Sequence, residues 1–147
     1  MAGNRLGIKV THNARILLVE DFEPMLRYEA SLLQENPEWQ IIGEATDGLE
    51  AVHKAEALRP DVILLDIGLP TLNGIEAARQ ILVIIPGSKI IFVSQESSAS
   101  VVAEALSFGA LGYVLKIRAE SDLRAAVKAV LEGGQFVSRD LIVSKPN

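Results

Sequence analysis

Polar side chains stand at the ends of several apolar runs in this sequence. In the clearest case, residues 61–70, four apolar residues from Val62 to Leu65 lead directly into the carboxylate of Asp66. A short unbroken apolar run is typical of a strand that is buried on both faces of a parallel sheet. Because an unpaired carboxylate inside a sheet is costly, we expect Asp66 at the carboxyl edge, where open α/β sheets bind their ligands.

Three further apolar runs also end in a side chain that is suited to chemistry. These side chains are Glu20 and Asp21 after the first run, Ser94 after the fourth and Lys116 after the fifth. Because the carboxyl ends of parallel strands lie at one edge of a sheet, we expect these groups to converge there. Carboxylates placed so close together repel one another and take up protons unless a cation lies among them. Hard oxygen ligands in an open site favour Mg²⁺.

Such a site would make the carboxylate of Asp66 a nucleophile toward phosphorus, since carboxylates do form aspartyl phosphates. The cation and Lys116 would neutralise charge on the transferring group, and Ser94 would donate a hydrogen bond to a phosphate oxygen. Each residue also has an ordinary structural explanation. Glu20 and Asp21 could cap the first helix. Ser94 could cap the fourth helix, and Lys116 could be a solvated strand end. The functional interpretation depends on complementary groups occurring together at four strand ends.

Turn and cap signals divide the rest of the chain into alternating strands and helices. Five strands are predicted at residues 15–20, 40–45, 61–65, 89–94 and 111–116. Five helices are predicted at residues 25–34, 48–58, 74–85, 98–108 and 122–132. Asp47 is expected to cap the second helix, and Ser121 or Asp122 the last one. Apolar strands joined by helical crossovers predict a five-stranded, parallel, doubly wound α/β sheet with right-handed connections.

The length and composition of the chain indicate one globular domain. We predict a domain at residues 15–132 between a disordered tail at 1–14 and a C-terminal tail at 133–147. The 147 residues are 49% hydrophobic and 22% charged, as in ordinary soluble proteins. A net charge of −5 argues against nucleic-acid binding, and the lack of cysteine excludes disulfides. Without a run of roughly 20 apolar residues or an apolar signal segment, we expect a cytoplasmic protein that does not bind membranes.

Four stretches of the sequence resemble the receiver domain of bacterial two-component response regulators. They are Leu-Val-Glu-Asp (18–21), Leu-Leu-Asp-Ile-Gly-Leu-Pro-Thr-Leu-Asn-Gly (64–74), Ile-Phe-Val-Ser (91–94) and Gly-Ala-Leu-Gly-Tyr-Val-Leu-Lys (109–116). The Leu-Pro-x-Leu-Asn-Gly stretch and a later Gln-Phe-Val-Ser (135–138) are similar to the NarL-type subgroup, whose members often carry a helix-turn-helix DNA-binding domain. The resemblance implies the flavodoxin-like, CheY-like (βα)5 fold with strand order 2-1-3-4-5.

The resemblance also implies a role for each site residue. Asp66 would accept a phosphoryl group from the phosphohistidine of a sensor histidine kinase, and Ser94 and Lys116 would bind the phosphoryl oxygens. Tyr113 would change rotamer as Ser94 moves toward the phosphoryl group, a two-state switch read out on the fourth helix, fifth strand and fifth helix. Mg²⁺ would be held by Glu20, Asp21, Asp66 and the main-chain carbonyl of Gly68.

The expected function is therefore signalling rather than catalysis on a separate substrate. The domain would promote only its own phosphorylation and dephosphorylation, and it would control a downstream protein or an output domain such as one that regulates transcription. A stand-alone receiver and one domain of a larger regulator both stay open, as does a homodimer.

Two positions depart from the pattern of the family near the site. Residue 95 is usually small but is Gln95 here, and residue 117 is often proline or polar but is Ile117. Gly68 has no side chain to position a hydrolytic water. Gln95 and Gly68 together predict slow dephosphorylation or weak phosphorylation by small donors.

Three other functions compete with phosphotransfer. The first is a receiver-like interaction module that works without phosphorylation, against which the intact set of acids, Ser94 and Lys116 argues. The second is a nucleotide- or flavin-binding protein, but no Gly-x-Gly-x-x-Gly or P-loop pattern follows any predicted strand. The third is a phosphatase-type hydrolase, but Gly68 stands two residues after Asp66, where a second acid would be needed.

Overall fold

The computed structural model describes residues 13–142, and within them six strands form a single parallel sheet. The strands are β1 (Ala14–Val19), β2 (Trp39–Ala45), β3 (Val62–Leu65), β4 (Lys89–Ser94), β5 (Gly112–Leu115) and β6 (Phe136–Val137). Their order in the sheet is β2-β1-β3-β4-β5-β6, and every neighbouring pair is parallel. The predicted doubly wound fold and the order 2-1-3-4-5 are confirmed, and β6 extends the sheet by one short strand.

Helices connect the strands in the alternation that the sequence predicts. They are α1 (Glu23–Leu33), α2 (Gly48–Leu58), α3 (Gly74–Ile84), α4 (Ala99–Leu106), α5 (Ala119–Leu131) and the short α6 (Arg139–Ile142), with a 3₁₀ turn at Lys116–Arg118. Among the described residues, every helix is too short or too polar to span a membrane. Residues 1–12 and 143–147, which belong to the predicted tails, lie outside the described residues.

Both faces of the sheet bury apolar side chains, because each helix packs an apolar stripe against it. Side chains of α2, α3 and α4 pack with Leu17 and Val19 of β1 on one face. Side chains of α1 and α5 pack with Ile16 and Leu18 on the other face. All four residues of β3 are fully buried, as its unbroken apolar run predicts. The core therefore fixes β3, and with it Asp66, at the centre of the sheet.

Side chains at the helix starts correct one prediction and confirm another. Asp47 caps α2, as predicted, and accepts the N–H of Glu50 at 2.8 Å. The predicted cap of α5 at Ser121 or Asp122 is wrong, because α5 begins at Ala119 directly after the 3₁₀ turn. The carboxylate of Asp122 instead binds Arg118 and Ser138 through tertiary contacts.

The sixth strand lies in the segment that follows α5. Phe136 and Val137 pair with Gly112 and Tyr113 of β5, which would otherwise be the edge strand. An edge strand presents unpaired N–H and C=O groups, and β6 covers part of that row. The sequence analysis predicts five strands because a two-residue strand has no periodicity to reveal it.

A buried carboxyl group interrupts the apolar face of α1. Glu29 is only 1% exposed, and its Oε2 has no hydrogen-bond partner among the described residues. Burial raises the pKa of Glu29 to about 8, with a further rise from the charge of Glu20 and a partly opposing effect of Lys116. Glu29 is therefore a neutral acid at neutral pH, and its ionisation opposes folding.

Replacement of Glu29 should change how stability depends on pH. Folding raises the pKa of Glu29 from 4.5 to about 8. The contribution of this carboxyl to stability is therefore complete below pH 4.5, falls between pH 4.5 and pH 8, and is lost as the pH rises through 8. Relative to the wild type, Glu29→Gln should gain roughly 2–4 kcal/mol in free energy of unfolding between pH 5 and pH 9. Urea unfolding across this range measures the gain, and Glu56→Gln, an exposed change on α2, is the control. Parallel pH profiles for Glu29→Gln and the wild type would contradict the assignment.

Candidate functional site

The carboxyl ends of the strands bring the residues singled out in the sequence to one edge of the sheet. A cavity of about 730 Å³ opens there. Its lining includes Glu20, Asp21, Asp66, Gly68, Ser94 and Lys116. Tyr113 is fully buried in the adjoining core. These residues come from the ends of four strands and are therefore brought together by the fold.

The ammonium group of Lys116 joins two of the carboxylates. Its Nζ lies 2.8 Å from Oε1 of Glu20 and 3.2 Å from Oδ2 of Asp66. Burial alone would lower the pKa of Lys116, but the hydrogen bond to Glu20 and the charge of Asp66 outweigh it and raise the pKa. Lys116 therefore stays charged in the site. The alternative that it is merely a solvated strand end is wrong.

The carboxylates of the site outnumber the ammonium group. Burial raises the pKa of Glu20, and repulsion by Asp66 raises it further, against the hydrogen bonds from Lys116 and from the N–H of Phe22. One carboxylate oxygen from each of Glu20, Asp21 and Asp66 lies within 4.8 Å of the others. Such a set of hard oxygen donors, one of them exposed, fits Mg²⁺, which binds carboxylates and keeps several waters. A cation here would also offset the repulsion between Glu20 and Asp66.

The loop after β3 is held close to Asp66 by two backbone N–H groups and by the close approach of Gly74. The N–H of Gly68 donates to Oδ1 of Asp66 at 3.3 Å, and the N–H of Gly74 donates to the carbonyl of Ile67 at 2.7 Å. A Cβ atom at Gly74 would overlap the backbone carbonyl of Asp66. The start of α3 therefore packs directly on the backbone of Asp66. The sequence analysis treats Asn73–Gly74 as a helix start, and it misses the need for this close approach.

Ser94 and Tyr113 meet at the main chain of Glu96. Oγ of Ser94 accepts the N–H of Glu96 at 3.0 Å, and the hydroxyl of Tyr113 donates to the carbonyl of Glu96 at 2.7 Å. Burial raises the pKa of Tyr113, so its hydroxyl remains protonated and able to donate. The alternative that Ser94 caps the fourth helix is wrong, because Ser98 caps α4. Ser94 and Tyr113 instead fix the loop between β4 and α4.

The first acidic pair, Glu20 and Asp21, lies between β1 and α1. Phe22 occupies the N-cap position of α1, and Oε2 of Glu20 accepts the N–H of Phe22 at 3.0 Å. Glu20 thus contributes one oxygen to the start of the helix and directs the other toward Lys116. The alternative that Glu20 and Asp21 cap the first helix is wrong, because the N-cap residue Phe22 has no side-chain cap, and Asp21 lies exposed at the cavity.

The cavity also has a wall that sequence reasoning misses. Arg79 of α3 and Glu104 of α4 line it, and their side chains lie 3.5 Å apart. The guanidinium of Arg79 also lies 4.9 Å from the ring centroid of Phe108. These residues belong to different helices, so no local sequence signal reports their contact.

Comparison with known proteins agrees with the geometry of the site. Residues 16–128 match the family described as the response regulator receiver domain. The chain is 34% identical over 133 residues to the transcriptional regulatory protein LnrK of Bacillus subtilis, covering 90% of this chain and 60% of LnrK. It is 41% identical over 104 residues to a protein-glutamate methylesterase/protein-glutamine glutaminase of Thermotoga maritima, covering 69% of this chain and 30% of that protein.

A solved structure gives the same result. The crystal structure of a LuxR-family two-component response regulator from an Aurantimonas species superposes with a TM-score of 0.85 at 30% identity, covering 88% of this chain and 93% of that one. The fold and the acidic cavity define a signalling receiver domain. The chain belongs to the family of response regulator receiver domains, in its NarL/LuxR-type branch. It spans about 60% or less of the length of the two curated relatives above.

The packing of Gly74 on Asp66 can be tested by adding one methyl group. Gly74→Ala should lower the free energy of unfolding by about 1–3 kcal/mol, because the new Cβ overlaps the Asp66 carbonyl. Gly87→Ala is the matched control, because a Cβ there meets nothing within 4 Å. Urea unfolding of both variants measures the difference. Equal stability of the two variants would show that the loop after β3 adapts without cost.

Proposed function

We propose that Asp66 is the phosphoryl acceptor of this receiver domain and that a sensor histidine kinase is the donor. The observation that carries the proposal is the position of Asp66, which lies at the centre of the sheet edge with Lys116 bonded to one of its oxygens. The Lys116 contact orients the carboxylate and lowers the cost of bringing an anionic phosphoryl group to it. The Asp66 oxygen forms a bond to phosphorus as the bond between phosphorus and the donor histidine nitrogen breaks.

The remaining residues of the site stabilise the transferred group. Lys116 and Ser94 donate hydrogen bonds to its oxygens, since Ser94 uses an oxygen lone pair toward Glu96 and retains its own proton. Mg²⁺ would be held by Glu20, Asp21, Asp66 and the carbonyl of Gly68, and it supplies positive charge opposite the phosphoryl oxygens. Movement of Ser94 toward the phosphoryl group would release its bond to the Glu96 amide and disturb the Tyr113 contact beside it.

The output of the phosphorylated domain is a separate part of the proposal. LnrK is named as a transcriptional regulatory protein, whereas the Thermotoga maritima relative is named as a methylesterase and glutaminase. Relatives with different named activities thus share this domain. The domain therefore indicates how the signal is received and not what the protein does in response. We infer that this chain controls a downstream protein or output domain, with transcription as the favoured target because LnrK covers the larger share of the chain. The chain itself would catalyse only its own phosphorylation and dephosphorylation.

Phosphorylation of Asp66 can be tested without the kinase. Incubation of the purified chain with acetyl phosphate and Mg²⁺ should add the mass of one phosphoryl group, and Asp66→Asn should abolish the addition. Omission of Mg²⁺ should also abolish it. Glu56→Gln, an exposed change away from the cavity, should leave it intact. Persistence of the modification in Asp66→Asn would exclude Asp66 as the acceptor.

Gln95 should limit access to the phosphorylated site. Its side chain is exposed and lines the cavity directly after Ser94, where it competes for space with small donors and with water. Gln95→Ala should therefore increase both the rate of phosphorylation by acetyl phosphate and the rate of dephosphorylation. Intact mass measured over time gives both rates. Ser97→Ala, another exposed change in the same loop, is the control, and unchanged rates in Gln95→Ala would refute the obstruction.

A further inference from the structure

The segment after α5 is attached to the strand that ends at Lys116. Ser138 is fully buried, its carbonyl accepts the N–H of Leu141 at 3.0 Å, and three further hydrogen bonds attach it to β5 and α5. Its N–H donates to the carbonyl of Tyr113 at 2.9 Å, its Oγ accepts the N–H of Leu115 at 3.1 Å, and its hydroxyl donates to Oδ2 of Asp122 at 2.8 Å. Ser138 therefore holds the main chain of β5 at two positions directly before Lys116.

Asp122 extends this attachment to the turn after Lys116. Its carboxylate accepts hydrogen bonds from Nε of Arg118 at 3.1 Å and from the hydroxyl of Ser121 at 2.9 Å. Burial alone would raise the pKa of Asp122, but the bonds from Ser138, Ser121 and Arg118 lower it. The carboxylate is thus ionised and accepts strong bonds. Because Arg118 belongs to the 3₁₀ turn that starts at Lys116, the network holds the chain on both sides of Lys116.

The same segment contacts the core around the predicted switch residue. Leu141 is buried in the cluster that contains Tyr113 and Phe92. The hydroxyl of Tyr113 binds Glu96, and the carbonyl of Tyr113 binds Ser138. Tyr113 therefore connects the loop that carries Ser94 to residues 136–142. Ser138, Asp122 and Arg118 themselves lie outside the lining of the cavity, so they act on the site through β5 and its following turn.

We propose that Ser138 is a positioning residue for the phosphoryl site and that residues 136–142 report the occupancy of that site. The inference rests on the proposed function, because it needs Asp66 and Lys116 to bind a phosphoryl group. Ser138 fixes the end of β5 and thereby the reach of Lys116 toward Asp66. Coupling between two equilibria is reciprocal, so if docking of residues 136–142 favours binding at Asp66, binding at Asp66 strengthens that docking by the same factor.

The test compares alanine variants of two serines, Ser138 and Ser121, that both bind the carboxylate of Asp122. Ser138→Ala removes the buried bonds to Leu115 and Asp122, whereas Ser121→Ala removes, from an exposed position, the bonds of its hydroxyl to Asp122 and to the carbonyl of Arg118. The full chain is titrated with beryllofluoride in the presence of Mg²⁺. We expect Ser138→Ala to weaken binding by about three- to tenfold and Ser121→Ala to leave it unchanged within about twofold.

Hydrogen exchange supplies a second measurement. If Ser138 had a purely structural role, its replacement would not change the exchange response to beryllofluoride. In the wild type, beryllofluoride should alter the exchange of the amides of Ser138 and Leu141, which donate within this segment. The alteration should be lost in Ser138→Ala. If Ser138→Ala is less stable but keeps the wild-type affinity and the wild-type exchange response, Ser138 only supports the fold and the inference is overturned while the proposed function stands.

Two further outcomes are distinguishable from that one. A wild-type chain that binds no beryllofluoride overturns the proposed function and the inference together. If Ser138→Ala does not fold, Asp122→Asn replaces it, because the amide keeps the size of the side chain and one acceptor oxygen but removes the charge. Asp122→Asn should weaken beryllofluoride binding in the same direction by a smaller factor, and unchanged binding in this variant overturns the inference.

Discussion

The contact of the Lys116 ammonium with the carboxylates of Glu20 and Asp66 is the interaction on which the site depends. All three groups lose water on folding, and removal of Lys116 from such a buried set would cost about 3–5 kcal/mol, because both carboxylates would lose their counter-charge. The sheet register makes the contact possible. Val19 pairs with Leu65, so the next residues, Glu20 and Asp66, leave adjacent strands side by side. β5 then ends within reach of both, two strands away from β3.

The charge balance of this contact explains two other features of the molecule. One ammonium group faces two buried carboxylates and the exposed Asp21, so the site retains negative charge and a position for a cation. The same negative charge acts on Glu29, whose pKa is raised by burial and also by Glu20. A protonated Glu29 adds no further negative charge close to the site. The acidity of the cavity and the neutrality of the α1 carboxyl are therefore parts of one electrostatic arrangement.

Sequence patterns predict the elements that local physics specifies. The apolar run of β3, the cap at Asp47 and the strand ends around Asp66 follow from short-range burial and capping, and the structure places them together. The start of α5 is mispredicted because the Asp122 carboxylate resembles a cap but is bound by Ser138, a distant partner. The burial of Glu29 could have been predicted, since three- and four-residue spacings place it on the face of Leu26 and Leu33. Its neutral state depends on charges from other elements, which periodicity does not report.

Because β6 pairs with β5, Tyr113 of β5 makes contacts in two directions. On its paired edge, the main chain of Tyr113 binds Ser138, and on its face, the ring of Tyr113 packs against Phe92 and reaches Glu96 through its hydroxyl. A fully buried ring in a close-packed core cannot shift without displacing its neighbours. A movement of the Tyr113 ring would therefore displace neighbours in its cluster, which includes Phe92 and Leu141. The proposed link from Asp66 to the segment after α5 thus runs through Tyr113, which contacts both the loop after β4 and Ser138.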